Sequence, residues 1–170
     1  MTSRFSTALG LAVATAFLIG MQPPLRAATG TTNLSVSATV SINCTITTTP
    51  VAFGAYDPIV ANATTGLDAT GTLVVACTKG STATLGLGLG GNALASVRRM
   101  VDGATNNLTY ELYQDTGRAT VWGNATVGLL TTGAAPSKAA RTFTVYGRVA
   151  AGQDVPAGSF TDTVVATVNF

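Results

Sequence analysis

The chain has 170 residues, a length at which one domain is the norm. Only 9% of its residues are charged and 46% are hydrophobic, with 19 Gly, 30 Thr and no His. This argues against a disordered chain or a helical bundle, and excludes any enzyme that needs a histidine base or ligand. A Thr/Val/Gly-rich β protein is what remains favoured.

Residues 1–27 read as a secretory signal: Arg4 supplies the positive start, and Ala8 to Met21 is a 14-residue run without charge. Pro23-Pro24 and the small pair Ala27-Ala28 follow. The apolar run is shorter than the about 20 residues a membrane span needs and fits a signal core. Cleavage after Ala27 leaves 143 residues with seven basic and seven acidic side chains. No basic stripe is left for phosphate contacts, so nucleic acid is not an expected partner. An anchor that stays in the membrane is the rival reading, and the chain offers no second apolar run of spanning length.

From Asn33 the sequence alternates strictly, with Leu34, Val36, Ala38, Val40 and Ile42 apolar and small polar residues between them. That period of two predicts a strand with one buried face, long for a single strand. On the residues alone it is equally a first strand of a complete domain or a strand offered to another chain. Cys44, Ile46 and Pro50 close it. Cys44 and Cys77 are the two cysteines, and in an exported chain an even count points to a disulfide. Zinc is the weaker rival, since there is no His and no third Cys to complete a site.

Further strands are expected at Thr72–Cys77, Thr82–Leu89, Leu108–Tyr113, Ala119–Trp122, around Phe143 to Val149, and from Phe160 to Phe170. Turn signals at Lys79-Gly80, Gly90-Gly91-Asn92, Asp102-Gly103, Asp115-Thr-Gly117, Gly133 to Pro136 and Pro156-Ala-Gly158 separate them. Short strands with Gly-rich turns and no helical period predict an antiparallel sandwich. The stretch Gly86-Leu-Gly88-Leu-Gly90-Gly91 spells a nucleotide-binding pattern, but leucines alternate through it, so it reads as a strand with its glycines on the outer face. Most carboxylates stand beside Gly or Pro as turn formers, and Glu111 is expected on the solvent face. A Ser–Lys pair would have to use Lys79 or Lys138, neither in a recognisable motif. No enzymatic activity, cofactor or metal is expected.

The region around Cys44, then Val51-Ala-Phe53-Gly54-Ala-Tyr56-Asp-Pro58 and Gly71-Thr-Leu-Val-Val-Ala-Cys77-Thr, resembles the spore coat protein U domain. The likeness continues through Arg99-Met100, Leu108-Thr-Tyr110-Glu-Leu-Tyr113, Trp122-Gly123 and Ala157-Gly158-Ser-Phe160-Thr-Asp162-Thr to the terminal Phe170. It departs at Phe160, where such domains commonly carry Tyr. The same domain forms subunits of archaic, Csu-type chaperone–usher pili.

The resemblance implies an all-β, immunoglobulin-like antiparallel sandwich lacking its last strand, completed by a donor strand from another subunit. It divides the chain into a signal peptide (1–27), an N-terminal donor segment (28–42) and the incomplete pilin domain (43–170). Leu34, Val36, Ala38 and Val40 are then the donor side chains. A disulfide between the first two strands of the body suits Cys44 and Cys77. The C-terminal strand, with Val164, Ala166, Val168 and Phe170 alternating, becomes the edge held by a chaperone. The implied partners are neighbouring subunits in a homopolymer, a periplasmic chaperone and an outer-membrane usher. The chain is expected to pass through the periplasm to a surface pilus serving adhesion and biofilm formation. A spore or cyst coat protein built by the same exchange is the alternative. A tip adhesin is a further one, although 143 residues leave no room for an added receptor domain.

Overall fold

The computed structural model describes residues 24–103, 105–125 and 127–170, so nearly all of the expected signal peptide lies outside the described residues. The chain divides at Ala38 into two units. Residues 24–38 carry neither helix nor strand, and every side chain among them is exposed. Among the described residues Thr39–Phe170 holds all the regular structure, eight strands: β1 (Cys44–Thr49), β2 (Leu67–Cys77), β3 (Thr84–Leu87), β4 (Arg99–Val101), β5 (Asn107–Tyr113), β6 (Leu130–Thr131), β7 (Arg141–Val149) and β8 (Ala166–Asn169). No helix occurs among the described residues, and none there is long and apolar enough to cross a membrane.

The strands form two antiparallel sheets, one ordered β1-β2-β7-β5-β4 and the other β6-β3-β8. Periodicity sets the inner faces. In β2 every second residue from Gly71 is buried, bringing Leu73, Val75 and Cys77 inward, and in β5 Leu108, Tyr110 and Leu112 do the same. Val145 and Val149 of β7 lie in the same sheet as these residues, and Leu85 and Leu87 of β3 come from the other sheet into the same core. Trp122 fills the space beside β3 at 0% exposure, its indole N–H donating to the Leu85 carbonyl (3.0 Å).

Four expectations about the strands need correction. The strand expected at Ala119–Trp122 is only an isolated bridge between Val121 and Tyr113. Residues 33–43, expected as a long strand, belong to no ladder; regular structure begins at Cys44. A period of two arranges side chains on one face but supplies no partner for the backbone. Two glycines of the Gly86–Gly91 stretch are not on an outer face: Gly86 and Gly88 are buried, and a Cβ on Gly86 would come within 3.0 Å of the Asn124 Cα and a Leu129 methyl. Gly86 is small because the segment after Trp122 covers it, while Gly88 lies against the Val165 backbone. The C-terminal strand is shorter than Phe160–Phe170, because its lead-in turns to β4 at Thr161 and keeps only scattered bonds to the residues after β3. Thr161 exchanges two backbone hydrogen bonds with Val101 (2.9 and 3.0 Å), while the carbonyls of Thr163 and Val165 accept from Gly91 and Gly88.

Candidate functional site

The Thr161–Val101 exchange ties the lead-in to β8 to β4, an edge of the larger sheet, and so stitches one flank of the sandwich. The β1 edge differs. There β1 and β8 are edges of their sheets, and among the described residues no ladder joins them. Between the sheets lies a cavity of about 310 Å3 lined by Thr48 and Thr49 of β1, by Val164 and Ala166, and by core residues including Leu73, Leu87, Leu112 and Val145. A second hollow of about 640 Å3 lies between residues 51–58 and 155–160 and shares Val51, Phe53, Met100 and Phe160 with the first. A strand edge with free N–H and C=O groups beside an apolar hollow is a template for another strand.

Polar groups hold the walls of this groove. The Tyr110 hydroxyl, from β5, donates to Asp162 on the lead-in to β8 (2.7 Å). The other Asp162 oxygen accepts from the backbone and side-chain nitrogens of Asn92 (both 3.1 Å). Gly90, at φ +96°, permits this, since a Cβ there would fall 1.9 Å from the carboxylate. Desolvation first, and the hydrogen bond to Asp162 second, raise the Tyr110 phenol well above its ordinary value of 10.0.

Behind the groove sits Arg98, 1% exposed. Its guanidinium donates to the carbonyls of Leu87 (2.9 Å), Gly88 (2.8 and 3.0 Å) and Trp122 (2.7 Å), and pairs with Glu111. Glu111 is therefore a half-buried partner of a buried cation and not a free solvent-face residue. Arg98 was missed from sequence, where the pair Arg98-Arg99 gives no sign that one member turns inward. Elsewhere Asp68 takes a bidentate pair from Arg148 (2.6 and 2.8 Å), which holds its carboxyl below the usual range. Asp57 and Asp115 cap turns and are also lowered, by the N–H groups of Ile59 and Val60 and of Ala119 and Thr120.

Cys44 and Cys77, opposite each other in the β1–β2 register, form a disulfide. Val164, Ala166 and Val168 alternate inward along the open flank, whereas Phe170 is 57% exposed. Leu34 and Val36 are 87% and 86% exposed in the first unit, where Ala38 is exposed as well; Val40, at the start of the second, is 83% exposed. Among the described residues no group of acidic or sulfur side chains is placed to hold a metal ion.

These features define an all-β fold of two antiparallel sheets in which, among the described residues, no ladder joins β1 to β8. Residues 30–167 match the model of the Spore Coat Protein U domain, and the chain belongs to that family. It is 42% identical over 178 residues to "Protein U" of Myxococcus xanthus, covering 96% of this chain and 97% of that one. Its fold is similar to that in a crystal structure of the CsuC–CsuE chaperone–tip adhesion subunit pre-assembly complex, from archaic chaperone-usher Csu pili of Acinetobacter baumannii. The TM-score is 0.57 at 16% identity, covering 78% of this chain. The chain spans only 41% of the length of that matched chain.

Proposed function

We propose that this protein is the structural subunit of a surface polymer, a pilus of the chaperone–usher kind, in which residues 28–42 of each copy fill the open flank of the next. The observation that carries this reading is the unladdered flank between β1 and β8 with its apolar hollow. A row of exposed apolar side chains at period two in the same chain is the complement it calls for. Burying each larger side chain of that row stabilises by roughly 1.5–3 kcal/mol. Ordering the backbone opposes this by about 1–2 kcal/mol per residue, so the new ladders to β1 and β8 must supply the balance.

Before assembly the same flank is an aggregation hazard. A periplasmic chaperone covers it along β8, with Val164, Ala166, Val168 and Phe170 as its contacts, and an outer-membrane usher exchanges the chaperone for the donor segment. Residues 1–27 direct export, and the polymer serves adhesion and biofilm formation without catalysis. The family's description and the near full-length match to Protein U favour a second reading, in which the same strand exchange builds a spore or cyst coat. The polymer's place, shed filament or dormant-cell envelope, separates the two.

The test is Val36→Asp. It puts a carboxylate into an apolar hollow of the neighbour, at a cost of several kcal/mol or forced protonation. Soluble chaperone-bound subunit without filaments is the expected outcome. Filaments of normal length and heat resistance from this variant, and from matching changes at Ala38 and Val40, would refute donor-strand exchange.

A further inference from the structure

The place where the N-terminal segment meets the sandwich is held by a rung that is half side chain. Cys44 faces Cys77 in the β1–β2 register, so the next rung outward joins Asn43 to Thr78. The Thr78 N–H donates to the Asn43 carbonyl as an ordinary ladder bond would (2.9 Å). The return bond does not follow the ladder: the Asn43 N–H donates to the Thr78 hydroxyl (3.0 Å). The Thr78 carbonyl is turned away to accept from the Ser81 N–H (3.1 Å) and hydroxyl (2.6 Å), which closes the turn leading to β3. The single proton of the Thr78 hydroxyl is shared between the carbonyls of Ser41 and Asn43, both at 3.3 Å. The hydroxyl thus accepts one bond and donates one, and every contact it makes is to residues 41–43. Thr78 is half-buried, while residues 39–43 around its contacts are exposed.

We infer that Thr78 is a positioning residue that fixes the direction in which residues 39–43 leave the sandwich, and with it the angle between successive subunits. The inference rests on the assembly reading above. A donor segment must be aimed at another molecule, and a backbone free to swivel at residue 43 would present it over a wide cone. One ladder bond fixes a point; the hydroxyl adds a second and third on the same short stretch, which fixes a direction.

Thr78→Val keeps the shape and the backbone N–H but removes the hydroxyl's bonds, and Thr78→Ser restores them. Amide exchange on the unpolymerised chain reads the pin directly. In Thr78→Val the Asn43 amide should exchange about tenfold faster, the loss of one hydrogen bond's worth of protection, with β1 and β2 unchanged. Image analysis of filaments should then show a wider spread of rotation per subunit in Thr78→Val, and a spread close to wild type in Thr78→Ser. A merely local stabilising role would not move that spread. Unchanged Asn43 exchange overturns the inference, and so does faster exchange with unaltered filament geometry. A wild-type chain that never polymerises refutes the assembly reading and takes this one with it; unaltered Thr78→Val filaments refute this one alone.

Discussion

Replacing Arg98 with methionine should remove about 3–5 kcal/mol of stability, the range found when one partner of a buried charge network is deleted. Methionine keeps most of the stem's volume, so the loss falls on the polar head. Three carbonyls, those of Leu87, Gly88 and Trp122, lose a charged donor, and all three residues are buried. An orphaned buried acceptor costs about 1–3 kcal/mol, less than additively when neighbours relax together. The pairing with Glu111 adds less, because that carboxylate is 30% exposed and water can replace its partner. Glu111→Gln should therefore cost only about 1 kcal/mol. For a domain of this size the Arg98→Met melting point should drop by roughly 10–15 °C. Denaturant unfolding followed by circular dichroism gives both free energies, and the double variant gives their coupling. A loss below about 1 kcal/mol for Arg98→Met, or a larger loss for Glu111→Gln, would show that the carbonyl bonds are not what the cation is there to make.

Replacing both Cys44 and Cys77 with alanine should lower the stability of the unpolymerised chain by about 4 kcal/mol, the loop-closure value for a 33-residue separation; an unchanged melting point would rule this out. Asp57, Asp68 and Asp115 all bind protons less readily folded than at their ordinary 3.8, so their stabilisation is complete above that value and drains away as pH falls through and below it. Tyr110 has the opposite sign: its raised phenol is fully stabilising below pH 10 and loses that contribution as pH climbs beyond. Melting point against pH should thus fall at both ends, with a shallower acid limb in Asp68→Asn and a shallower alkaline limb in Tyr110→Phe. Deleting Val168 to Phe170 shortens β8 and its pairing with β3, and the subunit should then degrade or aggregate in the periplasm; normal amounts of soluble chaperone-bound subunit would contradict this.

β5 and β7 were legible because each packs one face on the core, so burial and sequence share a period, whereas β2 showed only in its run of β-formers from Thr72 and its first half was not read. β4 and β6, three and two residues long, were not, since so few positions cannot display a period. The open flank was legible only through family resemblance, because a missing strand leaves no mark in the residues that surround it. The polar struts were hidden for another reason. Nothing near Arg98, Asp162 or Thr78 in the sequence announces partners that lie 10 to 70 positions away. Where the sequence misled, at Gly86 and Gly88, the error was to read small residues as exposed when both are buried and Gly86 makes room for Asn124 and Leu129.

The disulfide has a mechanical meaning in any polymer held together through the N-terminal segment. Tension on that segment reaches the sandwich at Cys44, the first residue of β1, which is an edge strand paired on one side only. Pulled from its end, such a strand can peel away one pair at a time. The sulfur bridge prevents this by passing the pull at once to Cys77, at the end of β2. There β2 is gripped on its other side by nine register pairs with β7, from Leu67–Val149 to Val75–Arg141. Drawn along their length, those pairs must slip together. The covalent bond thus converts a peeling geometry into a shearing one, and stretching single filaments with and without reductant would reveal it as a lower rupture force in the reduced state.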